Sequence, residues 1–506
     1  MKLTTLLPLV PLTQAASKDC PDYSSYSKNR NTPLSSGRYR LAYQRPPSNC
    51  RTFASPSVES LISNLTKTIS DPDLTRLFEN TFPNTLDTAI KWHGNSSFNP
   101  TEELTFIITG DIDAMWLRDS TNQLETYTSL LTSSSHELAP LFRGAINLQS
   151  RYILSDPYCN SFQPPSESGI PPAHNDASKT DRVFPHYSDV TVFECKYELD
   201  SLASFLQLSN SYYTATKDAS FFGKHKWKET IQTILDTAKT MQRGTYADDG
   251  RVLDNGYMFN RETSRATETF SNDGAGEPVR SNGLIRSGFR PSDDATTLQF
   301  LVPANMMFAA HLGRAAGIMK RLDGQLAKQM VDLANEVRRA IEEFGIVRLK
   351  TGKAYAYEVD GYGGARAMDD ANLPSLLAAP LMGFVKVDDP VYQHTRARIL
   401  SGKGNPYFME GPVINAVGSP HTGPGNAWPM GAVVAILTTS DDKEISARLK
   451  ELVGSTDGLG LMHESINAHD SSRWTRQWFS WANGLFGEMI VDLARRKPHI
   501  LKRSFQ

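Results

Sequence analysis

Cysteine is scarce in this chain. There are four in 506 residues, and no two of them form a CxxC pair. That removes zinc-ribbon and thioredoxin-like readings. Long apolar runs are missing as well. No stretch reaches the roughly 18 apolar residues that a membrane-spanning helix requires. Neither sign of charge dominates: 53 Lys and Arg stand against 55 Asp and Glu, a formal net charge of −2. No basic patch accumulates, so neither nucleic acid nor an anionic membrane surface is an expected partner. P-loop, GxSxG and GxGxxG elements are absent. The 11 histidines are scattered. His463-Glu464 is not the start of an HExxH zinc motif, because position 467 is Asn. No fixed period repeats along the chain, which counts against an open helical solenoid.

What is present begins with MKLTTLLPLVPLTQAAS. One Lys, a short apolar stretch and small residues at a cleavage position read as a secretory signal peptide over 1–16. A short strand or an unstructured tail is the alternative. Cys20, Cys50, Cys159 and Cys195 are an even set in that context, so disulfides are expected. Cys20–Cys50 is the favoured pair, since both lie in a Pro- and Ser-rich arm over 17–56 that has little core of its own. Asn64-Leu-Thr66 and Asn95-Ser-Ser97 are glycosylation sequons. The expected location is the secretory pathway: secreted, lumenal or wall-associated.

From residue 57 to the end, helical periodicity dominates. Helices are predicted after Ser57 and over 119–132, 136–153, 194–215, 226–242, 294–317, 319–344, 369–383, 388–400, 426–439, 442–453 and 473–496. A hairpin is predicted at 346–350 with 354–358, and short strands near Val252 and Tyr257. The long stretches 159–189 and 250–292, rich in Pro, Gly, Ser and Asn, are predicted loops, and long loops in a compact domain are often functional. The pattern is all-α, a single domain of alternating helices with long loops gathered on one face.

The chemistry concentrates in those loops. Thr105–Gln123 reads TFIITGDIDAMWLRDSTNQ and places Asp111, Asp113, Trp116, Arg118 and Asp119 between an apolar run and a helix. A Trp face stacks on the C–H face of a sugar, and carboxylates with a guanidinium grip its hydroxyls. A buried Arg–Asp pair that ties the loop to the core is the competing reading. Ser287–Ala295 carries Arg290, Asp293 and Asp294 at a predicted helix start. Adjacent carboxyls push each other's pKa apart, as a general acid requires, although simple helix capping also fits. Asp369 and Asp370 form a second such pair. Gly418–Pro429 holds His421, Asn426 and Trp428 in a Gly/Pro-rich loop suited to shaping a sugar site. His463 precedes Glu464 and is positioned to orient it. Trp478 and Trp481 share a helix face, with core packing as their expected role and the pocket floor as the second choice.

GDIDAMWLRDS resembles the signature loop of glycoside hydrolase family 125, the exo-α-1,6-mannosidases, including fungal members. The resemblance continues through the KYELDS, RPSDDA, AMDDAN and MHES blocks and spans about Ser57 to Leu493. It implies an (α/α)6 toroid of six inner and six outer helices with the pocket on one face. It implies inverting, metal-independent hydrolysis with no cofactor, acting on the terminal mannose of a glycan. Its catalytic acid falls on Asp293 or Asp294, and its base on Glu464. Asp111, Asp113, Trp116, Arg118 and Asp119 then hold the mannose, with Arg290, Asp369, Asp370, His421, Asn426, Trp428 and His463 around them.

Two other function classes remain open at this point. One is a glycan-binding protein on the same scaffold without catalysis. The other is a polysaccharide lyase with His421 or His463 as base. The presence of all three catalytic carboxyls favours hydrolysis over both.

Overall fold

The computed structural model describes residues 20–506, so the predicted leader 1–16 lies outside the described residues. The chain is helical, with short strands confined to the connections. Two kinds of helix can be told apart. Pro72–Thr81, Gly324–Phe344, Pro390–Ile399 and Asp442–Gly454 each begin at an Asp whose carboxylate accepts from backbone N–H groups of the first turn. The four helices leave their other faces partly in solvent. Leu199–Thr216, Val302–Met319, Pro429–Leu437 and Ser480–Arg496 are buried over most of their length and have no side-chain cap. A helix that is apolar nearly all round belongs inside.

The buried helices pack on one another. Leu117–Glu125 lies on Leu199–Thr216, which lies on Val302–Met319. Ser480–Arg496 lies on both Leu117–Glu125 and Pro429–Leu437. The capped helices cover them: Gly324–Phe344 on Val302–Met319, Asp442–Gly454 on Pro429–Leu437, and Pro72–Thr81 on Ser480–Arg496. One apolar core runs through all of these, from Leu41 to Phe505.

Small antiparallel sheets fix the connections. Met115–Trp116, Ser161–Phe162 and Val192–Glu194 form one, with Trp116 opposite Ser161 and Ser161 opposite Glu194. Asn426–Ala427, Ser465–Asn467 and Asp470–Thr475 form another. Phe300–Leu301, Glu358–Val359 and Ala365–Arg366 form a third. The predicted hairpin is present as Ile346–Leu349 with Gly352–Tyr355. The strand near Tyr257 is Met258–Asn260, paired with Arg182–Phe184. Disulfides join Cys20 to Cys50 and Cys159 to Cys195.

Several boundaries differ from the sequence reading. Residues 369–383 contain no helix, only turns. Pro374 and Pro380 remove backbone donors there, and the Asp369 carboxylate takes the N–H groups of Leu376 and Leu377 instead, at 2.9 Å each. The predicted helix 294–317 begins only at Val302, after a strand. The helix predicted from 194 begins at Leu199, because Val192–Glu194 is a strand. The helix predicted from 473 begins at Ser480, because Asp470–Thr475 is a strand. Asp119 lies inside a helix rather than before one. Its helix starts at Leu117 and Asp119 sits in the first turn. The N-terminal arm is not simply a surface strap: Leu41, Ala42, Gln44 and Arg45 are buried. Arg45 pairs with Asp87 at 2.7 Å, and Tyr23 packs edge-on against Trp478.

Candidate active site

The buried helices start where the loops converge. The residues just before four of them are Trp116, Glu198, Trp428 and Phe479. Trp116, Trp428 and Phe479 line a cavity of about 680 Å³. Uncapped helix N-termini leave backbone N–H groups without intrahelical partners, and a positive end of the helix dipole. This end of the molecule is therefore the natural place to gather carboxylates.

The first wall comes from the loop that opens at Gly110. Its φ is +142°, and a side chain there would press on the Trp478 ring at 3.3 Å. Asp111, Asp113, Trp116, Arg118 and Asp119 all line the cavity. Asp113 stands at the rim, paired with Lys91 at 3.0 Å. Asp111 pairs with Arg476, whose Nη1 lies 3.4 Å from Glu464. Burial pushes the Asp119 carboxyl up to about 6, against the pull of Arg118.

Arg118 is 2% exposed and faces four carboxyls. Its Nη1 donates to Glu198 and, at 3.2 Å, to Asp200. Its Nη2 lies 3.6 Å from both Asp119 and Asp293. Arg118 is at once a buried ion-pair anchor and part of the cavity wall.

Asp293 and Asp294 separate cleanly. They sit in a turn, with the Arg290 N–H donating to the Asp294 carbonyl at 2.8 Å. Asp293 has a left-handed φ of 65°, a region that Asp visits more readily than most non-glycine residues. Its side chain is 24% exposed and lines the cavity; that of Asp294 is 3% exposed and does not. Asp293 accepts from Asn160 at 3.1 Å and from the Trp116 indole at 3.4 Å. Asp294 lies behind His421, 3.7 Å from Nδ1. Burial pulls the His421 pKa down, but Asp294, Glu464 and Asp293 outweigh it and push it up to about 9.

Glu464 is 8% exposed and enters from the loop before Ser465–Asn467. Glu464, His421 and Trp428 line the same cavity as Asp293. The remaining candidates lie outside its lining and support it. Arg290 is buried against Glu358 at 2.6 Å. Asp370 accepts from Ser419 at 2.9 Å and Asn372 at 3.1 Å, and Asn372 does reach the cavity. Asp369 caps the turn after it, and burial pushes its carboxyl up to about 7. Asn426 turns away and donates to the Thr422 carbonyl at 2.7 Å. His463 stacks on Trp474 with centroids 4.5 Å apart, and burial pushes its pKa down to about 4. It packs behind Glu464.

The sequence reading did not single out Arg476, Lys196 or Arg261, which also line the cavity. Arg476 follows the MHES block by a dozen residues, and strand pairing alone carries it back: Ser465 opposes Thr475. Trp481, assigned first to the core, is on the cavity wall. Ala173, His174, Asn175 and Ala177 reach it from the long loop closed by Cys159–Cys195. Among the described residues, no three His, Cys, Asp or Glu side chains are grouped to hold a metal ion, and no helix is long and apolar enough to cross a membrane.

Comparison with known proteins now has a geometry to meet. The chain is 48% identical over 491 residues to the meiotically up-regulated gene 157 protein of Schizosaccharomyces pombe, covering 96% of this chain and 95% of that one. It superposes with a TM-score of 0.76 on a Streptococcus pneumoniae protein. That protein is described within a family of metal-independent alpha mannosidases, in a non-productive substrate complex with alpha-1,6-mannobiose. The pair share 34% identity over 87% of this chain and 99% of the other. A family profile described as metal-independent alpha-mannosidase matches residues 71–491, and the chain belongs to that family, glycoside hydrolase family 125.

Proposed function

We propose that this protein is an exo-acting α-1,6-mannosidase that releases terminal mannose from a glycan with inversion, without a metal or other cofactor. The observation that carries the reading is the meeting of Asp293 and Glu464 in one cavity from separate segments of chain. Asp293 is the acid that protonates the glycosidic oxygen. Glu464, beside Arg476, is the base that activates water on the opposite face of the sugar. Inversion calls for roughly 6.5–9.5 Å between the two carboxyls, room for that water. Asp111, Arg118 and Asp119 grip the mannose hydroxyls, and Trp116 or Trp481 offers its face to the ring. The linkage is supported by the mannobiose bound to the Streptococcus pneumoniae relative. We expect the helices to close into the (α/α)6 toroid that the family resemblance implies, with the cavity at the N-terminal ends of the inner helices.

The test is hydrolysis of α-1,6-mannobiose beside the α-1,2 and α-1,3 isomers, with EDTA present and the product anomer followed by NMR. β-Mannose from the 1,6 isomer alone is the expected result. Asp293→Asn and Glu464→Gln should each lower the rate by about 10²–10⁴-fold, and Asp294→Asn by less. Release of α-mannose, or no release from folded protein, overturns the reading. We also place the protein in the secretory pathway. The leader, the disulfides and the exposed sequons at Asn64 and Asn95 support this. A mass decrease on endoglycosidase treatment of protein from its native host checks it.

A further inference from the structure

Glu198 and Asp293 are neighbouring carboxyls at the back of the cavity, within reach of the same groups. Two carboxyls crowded into one site repel when both are ionised, so one of them tends to hold a proton. They also share a donor: the Asn160 amide lies 3.3 Å from Glu198 Oε1 and 3.1 Å from Asp293 Oδ1. Arg118 touches both. Asp293 stands at the cavity, and Glu198 lies directly behind it, 1% exposed.

We propose that Glu198 and Asp293 hold one proton between them, and that Glu198 is the positioning residue that stores this proton and hands it to Asp293 for donation. This rests on the reading of Asp293 as the acid and adds to it a residue that does not touch the sugar. The surrounding charges set the sharing. Asp293 faces Arg118, Lys196 and His421, with Asp119 opposing them. Burial raises its pKa, but Arg118, Lys196, His421 and the neighbouring Glu198 prevail and hold it below the usual carboxylate range. An acid so placed would be ionised before substrate arrived. Glu198 faces Arg118, Asp200, Asp293, Lys196 and Tyr257. Burial, Asp293 and Asp200 raise its pKa well above the usual range, against Arg118. Glu198 therefore keeps the proton in the resting protein.

The steps balance. The proton passes from Glu198 to Asp293, leaving the Glu198 carboxylate facing Arg118. Asp293 passes it to the glycosidic oxygen as the bond from that oxygen to C1 breaks. The oxygen of water bonds to C1, and Glu464 takes the proton that this water loses. Glu464 returns that proton to solvent and the pair regains one. The net change is one water consumed.

The test compares α-1,6-mannobiose with α-mannosyl fluoride, whose leaving group needs no proton, across a range of pH. In the wild type, kcat/KM for mannobiose should keep its alkaline limb near or above neutrality, while fluoride release shows no such limb. Glu198→Gln should lower mannobiose hydrolysis by about 100-fold and move its alkaline limb to lower pH, leaving fluoride release within a few-fold. Equal loss on both substrates with an unmoved limb means a merely structural role and overturns the inference. So does a wild-type limb below about pH 4, the position of a lone aspartate; that measurement needs no variant to fold. A wild type inactive on both substrates overturns the mannosidase reading itself and takes this inference with it.

Discussion

At the scale of single residues, the cavity is held by buried charges that each answer to a partner. Arg290 shows how. Its guanidinium meets Glu358, and the other Glu358 oxygen accepts the N–H groups of Thr297 and Leu298 at 3.1 Å each. One carboxylate thus closes the turn that carries Asp293. Glu358→Ala leaves a 2%-exposed guanidinium without its counter-ion. Removing one partner of a buried pair destabilises by about 3–5 kcal/mol. Urea unfolding should show a loss of that size, with weakened mannobiose hydrolysis by the protein that remains folded. A stability loss under about 1 kcal/mol would mean the pair is not dry.

At the scale of elements, the informative piece is the loop from Cys159 to Cys195. A loop this long needs anchors, and it has several. Gln163 clamps Ala173 through both backbone groups, at 2.8 and 2.9 Å. Asn175 donates to the Phe193 carbonyl at 3.0 Å. Ala173 and Ile112 pack on a small apolar cluster of Ala114, Trp116 and Phe193 beside the cavity. The loop therefore forms one wall of the cavity, and the prediction is that this wall meets the second sugar. Replacing Cys159 and Cys195 together by Ser should lower stability by about 2–4 kcal/mol. It should also raise KM for mannobiose more than for mannosyl fluoride, which has no second sugar. An equal change in both KM values would remove the loop from substrate contact.

At the scale of the whole molecule, the buried titratable groups set the pH of greatest stability. Burial is the leading cause that pushes Glu125, Glu488 and Asp369 up to about 7 and Asp119 and Asp200 up to about 6. A carboxyl raised above its unfolded value contributes stability that is full below about pH 4 and is lost as pH rises through 6 to 7. Buried His311 and His463, pushed down to about 3 and about 4, act in the opposite sense. Their contribution is present above about 6.5 and lost as pH falls towards 4. Five carboxyls outweigh two histidines, so the fold takes up protons between these limits. The urea midpoint should be higher near pH 5 than near pH 8. The reverse order would show that the carboxyls are ionised in the fold.

The sequence by itself determined the all-helical character, because period and capping residues are local. The signature loop was legible too, because its five charged and aromatic residues fall within nine positions, and all five line the cavity. The Cys20–Cys50 pair was legible because both cysteines lie in one Pro- and Ser-rich arm whose sequence offers little core of its own. Tertiary structure decided the rest. Asp293 and Asp294 are equivalent on paper, and only a left-handed turn tied down through Glu358 sends one to the cavity and the other behind His421. Residues 369–383 had helical periodicity, but prolines and the buried Asp369 carboxylate took over their backbone donors. Arg476 comes to Glu464 by strand pairing, and Glu198 to Asp293 by the packing of a helix start against a turn. Those contacts join positions from a dozen to about a hundred residues apart, and no local pattern in a sequence encodes which of its many carboxylates will share one guanidinium.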